Sequence, residues 1–431
     1  MSIGGTIRGA EALMQRFGSR SWASYIEPAI QAAEEGAIVT SFMYGFNFAL
    51  FDFGFLGDLR QHTEARKFYM PDGHLVGVGR PWKMPALAET LRKLAAEGPD
   101  YMYTGAWGQK FVEAAQKSGG RISMADMEEY AAIWDKPVQF SYRGHTIYGS
   151  PPPDTGGLIV GYNLNILENF DLKAAGHYAE SIETLETISR AFGRVHKEVS
   201  GTIRDPLNYH IPSELWLSKE YGKMGAEFVR NSMPKVSAEV KTSNVENAFD
   251  PREIAELGSD HIVIADKFGN WISMLHTIHG GAPGVFIDGV RATGSGASAA
   301  TNGDGRRLIL PITAIMIADE NGKPWLAMGT PGNPPQPVTE VLINILDFGM
   351  KPLDAADAPR FWAFREGEKI EIESRLSESV RKGIGARGMK FSDLGPYNYH
   401  TGSMQIVYRD KKDGKLHGVT DARRLGSTKG H

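Results

Sequence analysis

The sequence predicts a mixed α+β fold with a helix-rich first half and a strand-rich second half. In the first half, apolar residues recur at helical spacing, and several of these segments finish near a glycine. From Ser259 onward, apolar residues alternate in short runs that glycine-rich turns separate. The chain has 431 residues, of which 42% are hydrophobic and 23% charged, so it has ample material for a large core.

Helical periodicity marks a series of segments in the first half. One of them begins at Ser123, a residue typical of an N-cap, and Asp126 follows three residues later. Glycines at the ends of several segments predict where those helices stop. The predicted helices cover residues 6–17, 22–36, 85–97, 107–119, 123–133, 157–170 and 180–201.

Strands are predicted on both sides of a polar stretch. Residues 137–151 alternate like two strands, with a turn at Arg143 and Gly144. Residues 233–258 are polar and poorly periodic, which predicts an exposed linker. Beyond the linker, the predicted elements are strands within 308–319, 322–330, 369–374 and 403–410, and a helix over 337–348.

The charge and residue content exclude several classes of function. A net charge of −4 argues against a protein that binds nucleic acid or an anionic membrane, because both need a basic surface. The chain has no cysteine, and its 12 histidines are scattered without an HExxH pattern, so neither a metal nor another cofactor is predicted. The amino terminus lacks the apolar core of a secretory signal. This predicts a cytoplasmic location, or a periplasmic one if the natural chain begins earlier.

The stretch GSDHIVIADKFGNWISMLHTIH, residues 258–279, has the pattern of a β-hairpin. Its centre suits a three-residue loop between Asp266 and Asn270, in which Gly269 takes the left-handed conformation. Pairing the two ends of that loop fixes the register of the strands. The resulting opposite pairs are Val263 with Ser273, His261 with Leu275 and Ser259 with Thr277.

This register brings two hydroxyl groups together at the open end of the hairpin. Ser259 and Thr277 become candidates for a chemical site because they share a face and neighbour each other. A two-residue loop would instead turn Thr277 to the other side of the hairpin. A Ser–Thr pair on adjacent strands is also a common structural contact.

Ordered motifs in both halves resemble the gamma-glutamyltransferase family of N-terminal-nucleophile hydrolases. At its processing site the family has Thr-Thr-His, a strand ending in Asp-x-x-Gly-Asn, a second strand and a threonine. This chain has Ser-Asp-His from Ser259, Asp-Lys-Phe-Gly-Asn from Asp266, and Thr277 at matching spacing. Further matching segments are WASYIEPAIQAAEEG, SGGRISMADMEEY, YRGHTIYGSPPPDTGG, GTPGN, DFGMKPLDAADAPRF and GVTDARRLGSTKGH.

The resemblance implies an architecture and a division of the chain. The expected fold is a four-layer αββα sandwich, with two sheets between two layers of helices. Residues 1–258 correspond to the family's large subunit, with 233–258 as the exposed linker before the processing site. Residues 259–431 correspond to its small subunit, and the two regions together are expected to form one αββα domain.

The resemblance also implies catalytic roles. Ser259 is the expected nucleophile, first for cleavage of the bond after Gly258 and then, with its freed α-amine as the base, for acyl transfer. Thr277 is expected to hold or polarise the serine hydroxyl. The backbone amides of Gly332 and Asn333 in GTPGN are the expected oxyanion donors, although Gly-x-Pro-Gly is also common at a plain strand-to-helix turn.

The chain departs from the family at positions expected to contact the substrate. Asp260 replaces the second threonine, and a carboxylate pointing inward there would raise the pKa of the amine and repel an anionic substrate. His279 stands where the family has asparagine, whereas His261 and Thr313 stay close to the family pattern. The family's Asn-Asn-x-Met-Asp-Asp-Phe segment has no counterpart, and apolar residues around 309–310 replace its Ser-Ser pair.

These departures predict an acylase or small-amide hydrolase, acting on a small-molecule amide or peptide, rather than an enzyme specific for gamma-glutamyl groups. The alternative is an unprocessed, non-catalytic homologue that serves as a scaffold or partner subunit. Roughly a hundred residues of the family's amino-terminal part have no counterpart in the chain. Because a sheet that lacks strands needs its edges covered, we expect a homo-oligomer, or a hetero-oligomer with a chain that supplies this segment.

Overall fold

The computed structural model describes the chain as two compact units. The described residues are 2–45, 63–199, 201–232, 259–277, 285–292, 305–331, 335–363, 369–387 and 389–430. The first unit comprises Met1–Trp134, Arg252–Glu256 and Ile278–Thr301, and the second comprises Asp135–Pro251, Leu257–Thr277 and Asn302–His431. Each unit therefore draws on both sides of the predicted division between residues 258 and 259. The predicted linker over 233–258 lies outside the described residues.

The first unit is mainly helical. Its larger core cluster is rich in aromatic side chains, among them Tyr101, Trp107 and Phe111. The elements, numbered in chain order over the whole protein, are α1 (Thr6–Phe17), α2 (Trp22–Glu35), β1 (Ala37–Ile38), α3 (Ser41–Met43), α4 (Thr63–Tyr69), β2 (Pro81–Trp82), α5 (Pro85–Glu97), α6 (Ala106–Lys117), α7 (Met124–Glu129), β7 (Val285–Ile287) and β8 (Val290–Ala292).

The second unit combines helices and strands. Its elements are β3 (Val138–Tyr142), β4 (His145–Gly149), α8 (Gly156–Leu167), α9 (Leu172–Ala175), α10 (Ile182–Val199), α11 (Ser213–Trp216), α12 (Lys219–Ser232), β5 (Ser259–Ala265), β6 (Trp271–Thr277), β9 (Ala314–Ala318), β10 (Pro324–Gly329), α13 (Pro335–Leu346), α14 (Pro352–Asp357), β11 (Phe361–Trp362), β12 (Ile370–Ile372), α15 (Glu378–Ala386), β13 (Phe391–Asp393), β14 (Gln405–Arg409) and β15 (Leu416–Thr420). Across the described parts of both units, no helix combines the length and apolar character needed to cross a membrane.

A six-stranded antiparallel sheet forms the centre of the second unit. Its strand order is β15-β14-β10-β9-β4-β3. The side chains of Leu326 and Met328 on β10 are fully buried in the main core, which also contains the apolar faces of α8, α10 and α13. Because side chains alternate along a strand, Gly329 belongs to the opposite face of the sheet. The sheet therefore separates a layer of helices from whatever packs on that second face.

The hairpin β5–β6 packs on the second face of this sheet. Its strands contact β9, β10 and β14. Within the described residues the hairpin is a two-stranded sheet of its own. The second unit thus shows, in order, a helical layer, a six-stranded sheet and a second β-layer that carries Ser259 at its end.

Most of the predicted elements are confirmed at or near their expected bounds. The helices α1 and α5 have the predicted limits, and Ser123 and Asp126 form a reciprocal capping box at the start of α7. The turn between β3 and β4 has positive φ at Arg143 and Gly144.

The predicted strand over 308–319 is wrong in its first part, because only Ala314–Ala318 is a strand. Pro311 has no N–H to give to a ladder. The carbonyl of Leu310 accepts from the Thr155 N–H at 2.9 Å, and the carbonyl of Ile312 accepts from the Ser150 hydroxyl at 2.7 Å. The backbone groups of this segment are therefore used by the loop before α8 instead of by a neighbouring strand.

Candidate active site

The hairpin β5–β6 has the predicted three-residue loop. The Asp266 N–H donates to the Asn270 carbonyl at 3.0 Å, and the Asp266 carboxylate accepts from the amides of Phe268 and Asn270. Gly269 has a φ of 88°, in the left-handed region that such a loop requires. The observed opposite pairs include Ser259 with Thr277, His261 with Leu275 and Val263 with Ser273. The predicted register is confirmed, and the two-residue alternative is wrong.

The two hydroxyl groups at the open end of the hairpin are in contact. Ser259 Oγ donates to Thr277 Oγ1 at 2.8 Å, and both side chains are half-buried. Directly opposite residues in an antiparallel pair point to the same face, so the backbone register alone brings them together. The contact fixes the rotamer of a serine hydroxyl that remains partly accessible.

His261 lies two residues after Ser259 on the same inward face of β5. Its buried ring has Nε2 at 2.9 Å from Ser273 Oγ, and the Ser273 hydroxyl donates to the Met328 carbonyl at 3.2 Å. Because that hydroxyl proton is already donated, Nε2 carries the ring proton and Nδ1 carries the lone pair. Nδ1 has no hydrogen-bond partner among the described residues. Burial lowers the pKa of His261 to about 4, so the ring is neutral at physiological pH.

The absence of a side chain at Gly329 makes room for the hairpin. A Cβ at Gly329 would lie 2.5 Å from His261 Nε2 and 2.8 Å from the Thr313 carbonyl oxygen. The start of α8 packs closely against the same threonine, since a Cβ at Gly156 would lie 2.0 Å from Thr313 Oγ1. Thr313 is completely buried and donates its hydroxyl to the Pro311 carbonyl at 2.9 Å. The structure therefore places Thr313 in the packing between β10 and α8, behind the site.

Asp260 points away from Ser259. It lies on the outward face of β5, where it is exposed and opposite His276. Burial lowers the pKa of Arg424 to about 10, with Tyr399 and Asp260 acting in the opposite direction. Asp260 is thus within electrostatic range of a buried guanidinium. The inward orientation that would set its carboxylate beside the serine amine is not observed.

Arg360 and Arg423 are structural ion-pair partners. Arg360 Nη2 lies 2.6 Å from Asp421 Oδ2, and Arg423 Nε lies 2.6 Å from Glu373 Oε1. All four side chains are buried. Burial alone would raise the pKa of Glu373, but the Arg423 guanidinium lowers it below its usual value. This network fixes the turn after β15, which carries Arg424.

Four predicted site residues, Gly258, His279, Gly332 and Asn333, lie outside the described residues. Their assigned roles remain predictions. The predicted turn with the last two residues follows Thr330, which is buried, donates to the Pro331 carbonyl at 2.8 Å and accepts from the Ser403 N–H. The start of the predicted oxyanion turn is therefore fixed by hydrogen bonds.

Two residues near the site were missed in the sequence. Ser273 was named only as the partner of Val263, although the same register puts it on the inward face beside His261. The signal was therefore present. Arg424 was not predicted to lie near the site, and no local spacing relates it to Asp260, because the two residues are distant in the chain and approach each other only in the folded protein.

A family model described as Gamma-glutamyltranspeptidase matches residues 1–431. The chain belongs to the gamma-glutamyltranspeptidase family. Because the match runs over the full sequence, it includes both units and the hairpin that carries Ser259. Membership in the gamma-glutamyltranspeptidase family makes this chain an N-terminal-nucleophile type of hydrolase or acyltransferase.

Individual gamma-glutamyltranspeptidase relatives are distant in sequence. The glutathione hydrolase proenzyme of Escherichia coli (strain K12) is 25% identical over 446 residues, which cover 97% of this chain and 73% of that protein. The acylase ACY 1 proenzyme of Pseudomonas sp. (strain SE83) is 27% identical over 406 residues, which cover 90% of this chain and 68% of that protein. Both are amide hydrolases by name, so the family supports amide hydrolysis in general.

A solved structure confirms the predicted fold class. The cephalosporin acylase from Bacillus halodurans superposes with a TM-score of 0.76 at 24% identity, covering 98% of this chain and 77% of that one. At this level of identity the match concerns the fold alone. The mixed helix and strand architecture predicted for the gamma-glutamyltranspeptidase family is thus present in this chain.

Proposed function

We propose that the protein is an autoprocessing amide hydrolase or acyltransferase that works through an acyl-enzyme on Ser259. The observation that carries the proposal is the hydrogen bond of 2.8 Å between Ser259 Oγ and Thr277 Oγ1 at the open end of the hairpin. Ser259 is half-buried and faces the central sheet, so its hydroxyl is oriented and still reachable. A serine nucleophile needs an oriented, accessible hydroxyl and also a base, and the base proposed for turnover is its own freed α-amine.

Processing begins with an attack by Ser259 Oγ on the carbonyl carbon of Gly258. The C–N bond between the two residues breaks, an ester to the serine oxygen forms, and the hydroxyl proton moves to the released nitrogen. Water then hydrolyses the ester, which leaves a carboxylate on Gly258 and a free α-amine on Ser259. Glycine suits this position because it tolerates a strained backbone better than other residues.

Turnover uses the freed amine of Ser259 as the general base. With a reference pKa of about 7.7–8.0, the amine can take the hydroxyl proton near neutral pH. Ser259 Oγ adds to the substrate carbonyl, the proton passes to the leaving nitrogen, and the acyl group stays on oxygen. Water or an acceptor amine then takes the acyl group. Backbone amides of Gly332 and Asn333 are the proposed donors to the developing oxyanion.

The expected substrate is a small-molecule amide or peptide without a gamma-glutamyl requirement. The apolar residues around 309–310 and the missing Asn-Asn-x-Met-Asp-Asp-Phe segment remove the groups that would grip a glutamyl α-amine. The relative named acylase ACY 1 supports amide substrates beyond glutathione in the family. The proposal therefore favours acylase or small-amide hydrolase activity.

The intact mass of the purified protein tests processing directly. We expect the wild type to separate into fragments 1–258 and 259–431, and Ser259→Ala to stay a single chain. Ser259→Thr keeps a hydroxyl and should still cleave. Thr277→Val removes the hydrogen-bond partner, and we expect it to slow cleavage by about two- to tenfold, since such a bond contributes roughly 0.5–1.5 kcal/mol.

The matched control is Ser189→Ala, which removes a half-buried serine hydroxyl from α10. It should process like the wild type. A wild-type preparation that remains one chain and hydrolyses no amide would overturn the proposal and favour the alternative of a non-catalytic homologue.

A further inference from the structure

A cavity of about 220 Å³ lies in the second unit, at the ends of three helices of the helical layer. Ile159 of α8 and Phe192 of α10 line it on two sides. Pro335, the first residue of α13, and Trp362 of β11 complete the helical side of the wall. Such a site resembles a ligand pocket, since these are concave and mainly apolar with few polar groups.

The segment that precedes β9 closes the cavity on the side of the central sheet. Leu310 lines the cavity and its carbonyl accepts the N–H of Thr155, another lining residue, at 2.9 Å. Three residues beyond Leu310, the carbonyl of Thr313 lies against Gly329 at the end of β10. The wall of the cavity is thus continuous with the strand end that supports the hairpin.

The proposed catalytic centre lies at this same strand end. Gly329 packs against His261, which is two residues from Ser259 on the inward face of the hairpin. Six residues after Gly329, α13 begins at Pro335 in the wall of the cavity. An acyl group on Ser259 would therefore have the cavity as its neighbour.

The walls of the cavity offer few polar or charged partners to a charged group of a ligand. Among the described lining residues His196 is the one ionisable side chain. The amide of Gln336 is fully engaged, because Nε2 donates to Glu340 Oε1 and the Phe361 carbonyl, while Oε1 accepts from the Ala363 N–H. Burial raises the pKa of Glu340 to about 8, so this carboxyl is neutral at pH 7. A carboxylate placed here would lose its hydration without meeting a lysine or arginine in the described wall.

We propose that this cavity binds the acyl part of the substrate and selects a neutral, apolar acyl group, such as phenylacetyl or hexanoyl. The inference rests on the proposed acyl-enzyme at Ser259. The size of the cavity suits such acyl groups, since a cavity of about 150 Å³ accommodates benzene and this one is about 220 Å³. The chemistry also accounts for the apolar pair Ile309–Leu310, of which both members line the cavity.

The test compares matched amides of one fluorogenic amine with the purified full chain. The acyl groups are acetyl, butanoyl, hexanoyl, phenylacetyl, adipoyl and gamma-glutamyl. We expect kcat/KM to rise about fourfold for each methylene from acetyl to hexanoyl, the equivalent of about 0.8 kcal/mol per buried methylene. Adipoyl matches hexanoyl in length but ends in a carboxylate, and it should react at least about tenfold more slowly.

Two variants locate the selectivity in the cavity. Ile159→Phe reduces its volume and should lower the hexanoyl-to-acetyl ratio of kcat/KM, whereas Phe192→Ala enlarges it and should shift the optimum to longer acyl groups. The matched control is Phe228→Ala, which truncates a phenylalanine of α12 that is 39% exposed and does not line the cavity. It should leave the ratio unchanged. An unchanged ratio in both cavity variants overturns the inference.

A binding measurement separates the two proposals. Ligand-observed NMR with the Ser259→Ala chain compares phenylacetamide with glutaramic acid, with and without Phe192→Trp. Binding of phenylacetamide that Phe192→Trp abolishes supports the cavity even if the wild type cleaves no amide, which would overturn only the proposed function. Preferred cleavage of adipoyl or gamma-glutamyl amides overturns the cavity assignment and leaves the proposed function standing. Absence of both binding and turnover overturns both.

Discussion

Asp260 follows the candidate nucleophile in the chain and yet does not share its surroundings. A strand alternates its side chains, so one step along β5 moves the carboxylate from the sheet interface to the exposed face. There it is in electrostatic range of Arg424. From its place next to Ser259 in the sequence, the Asp260 carboxylate was expected to raise the pKa of the serine amine if it pointed inward. The observed register instead places the two groups on opposite faces of the hairpin. The substitution at this position is therefore compatible with nucleophile chemistry at Ser259.

The buried carboxyl of Glu340 predicts a specific pH dependence of stability. Burial raises its pKa from 4.5 to about 8, so between these values the folded state holds a proton that the unfolded state releases. The stability it contributes is complete below about pH 4.5 and is lost as the pH rises through about 8. We expect Glu340→Gln to remove this loss. The free energy of unfolding of the variant minus that of the wild type should therefore be larger at pH 9 than at pH 5, by about 1 kcal/mol or more.

Urea unfolding at a series of pH values measures this difference, in the Ser259→Ala background so that single chains are compared. The control is Glu320→Gln, which alters an exposed glutamate in the turn between β9 and β10. Because this side chain is exposed, its replacement should not reproduce the change expected of Glu340→Gln. A Glu340→Gln variant that follows the same pH profile as the parent would show that the carboxyl is ionised in the fold.

Local signals predicted the elements well where the chain's own pattern determines the structure. The capping box at Ser123 and the positive φ values at Arg143 and Gly144 follow from nearest neighbours alone. The hairpin register followed from one loop motif. By contrast, residues 308–313 have an apolar run typical of a strand, but Thr155 and Ser150 take two of its carbonyls. Such competition from a distant segment has no local signature.

The junction between β5 and β10 depends on Gly329. Its φ is not in the left-handed region, so the constraint is the space that His261 occupies. We expect Gly329→Ala to destabilise the protein by about 1–3 kcal/mol, as overpacking of a close contact does. Chemical unfolding measures the effect, and the matched control is Gly418→Ala on β15, where the nearest atoms belong to the Thr428 side chain at 3.1–3.2 Å.

A double-mutant cycle tests the cause of that destabilisation. In a His261→Ala background, Gly329→Ala should cost less, with a coupling energy of at least about 0.5 kcal/mol. Relief is expected to be partial, because the Thr313 carbonyl oxygen would still lie 2.8 Å from the added carbon. Purely additive costs would contradict the assignment of His261 as the obstructing group.

The outward face of the hairpin is apolar and open in the second unit. Ile262, Ile264 and Met274 are 45%, 54% and 38% exposed, and β5 and β6 pair only with each other among the described strands. Unpaired edges beside an apolar face favour association with another polypeptide. Of the partners expected from the sequence, a second copy is the one that purified protein can test directly.

We therefore expect the purified protein to self-associate with increasing concentration. Ile264→Lys places a charge on this face and should shift sedimentation toward the monomer. The control, Leu353→Lys, makes a similar change at an aliphatic residue of α14 that is 58% exposed, and it should not shift sedimentation. A wild-type protein that stays monomeric at all concentrations would contradict the expectation of a homo-oligomer.

The cavity shows the limit of sequence reasoning for the whole molecule. Ile309 and Leu310 were recognised as an apolar replacement for polar family residues, but Ile159, Phe192 and Trp362 carry no mark that assigns them to the same wall. Three helices, the strand β11 and a loop, all from separate parts of the chain, enclose the space. Its volume and lack of charge are consequences of tertiary packing, which the spacing of residues along the chain does not encode.

The strand order of the central sheet also determines when, during synthesis, the hairpin can reach its final position. β5 packs on β14, which the ribosome makes roughly 130 residues after the hairpin, on the order of 10 s later at roughly 5–20 residues per second. Until β14 and β15 emerge and pair, the hairpin that carries Ser259 has no complete sheet to pack against. The proposed cleavage before Ser259 therefore has to wait until β14 and β15 have been made, so the nascent chain would not be cut before these strands exist.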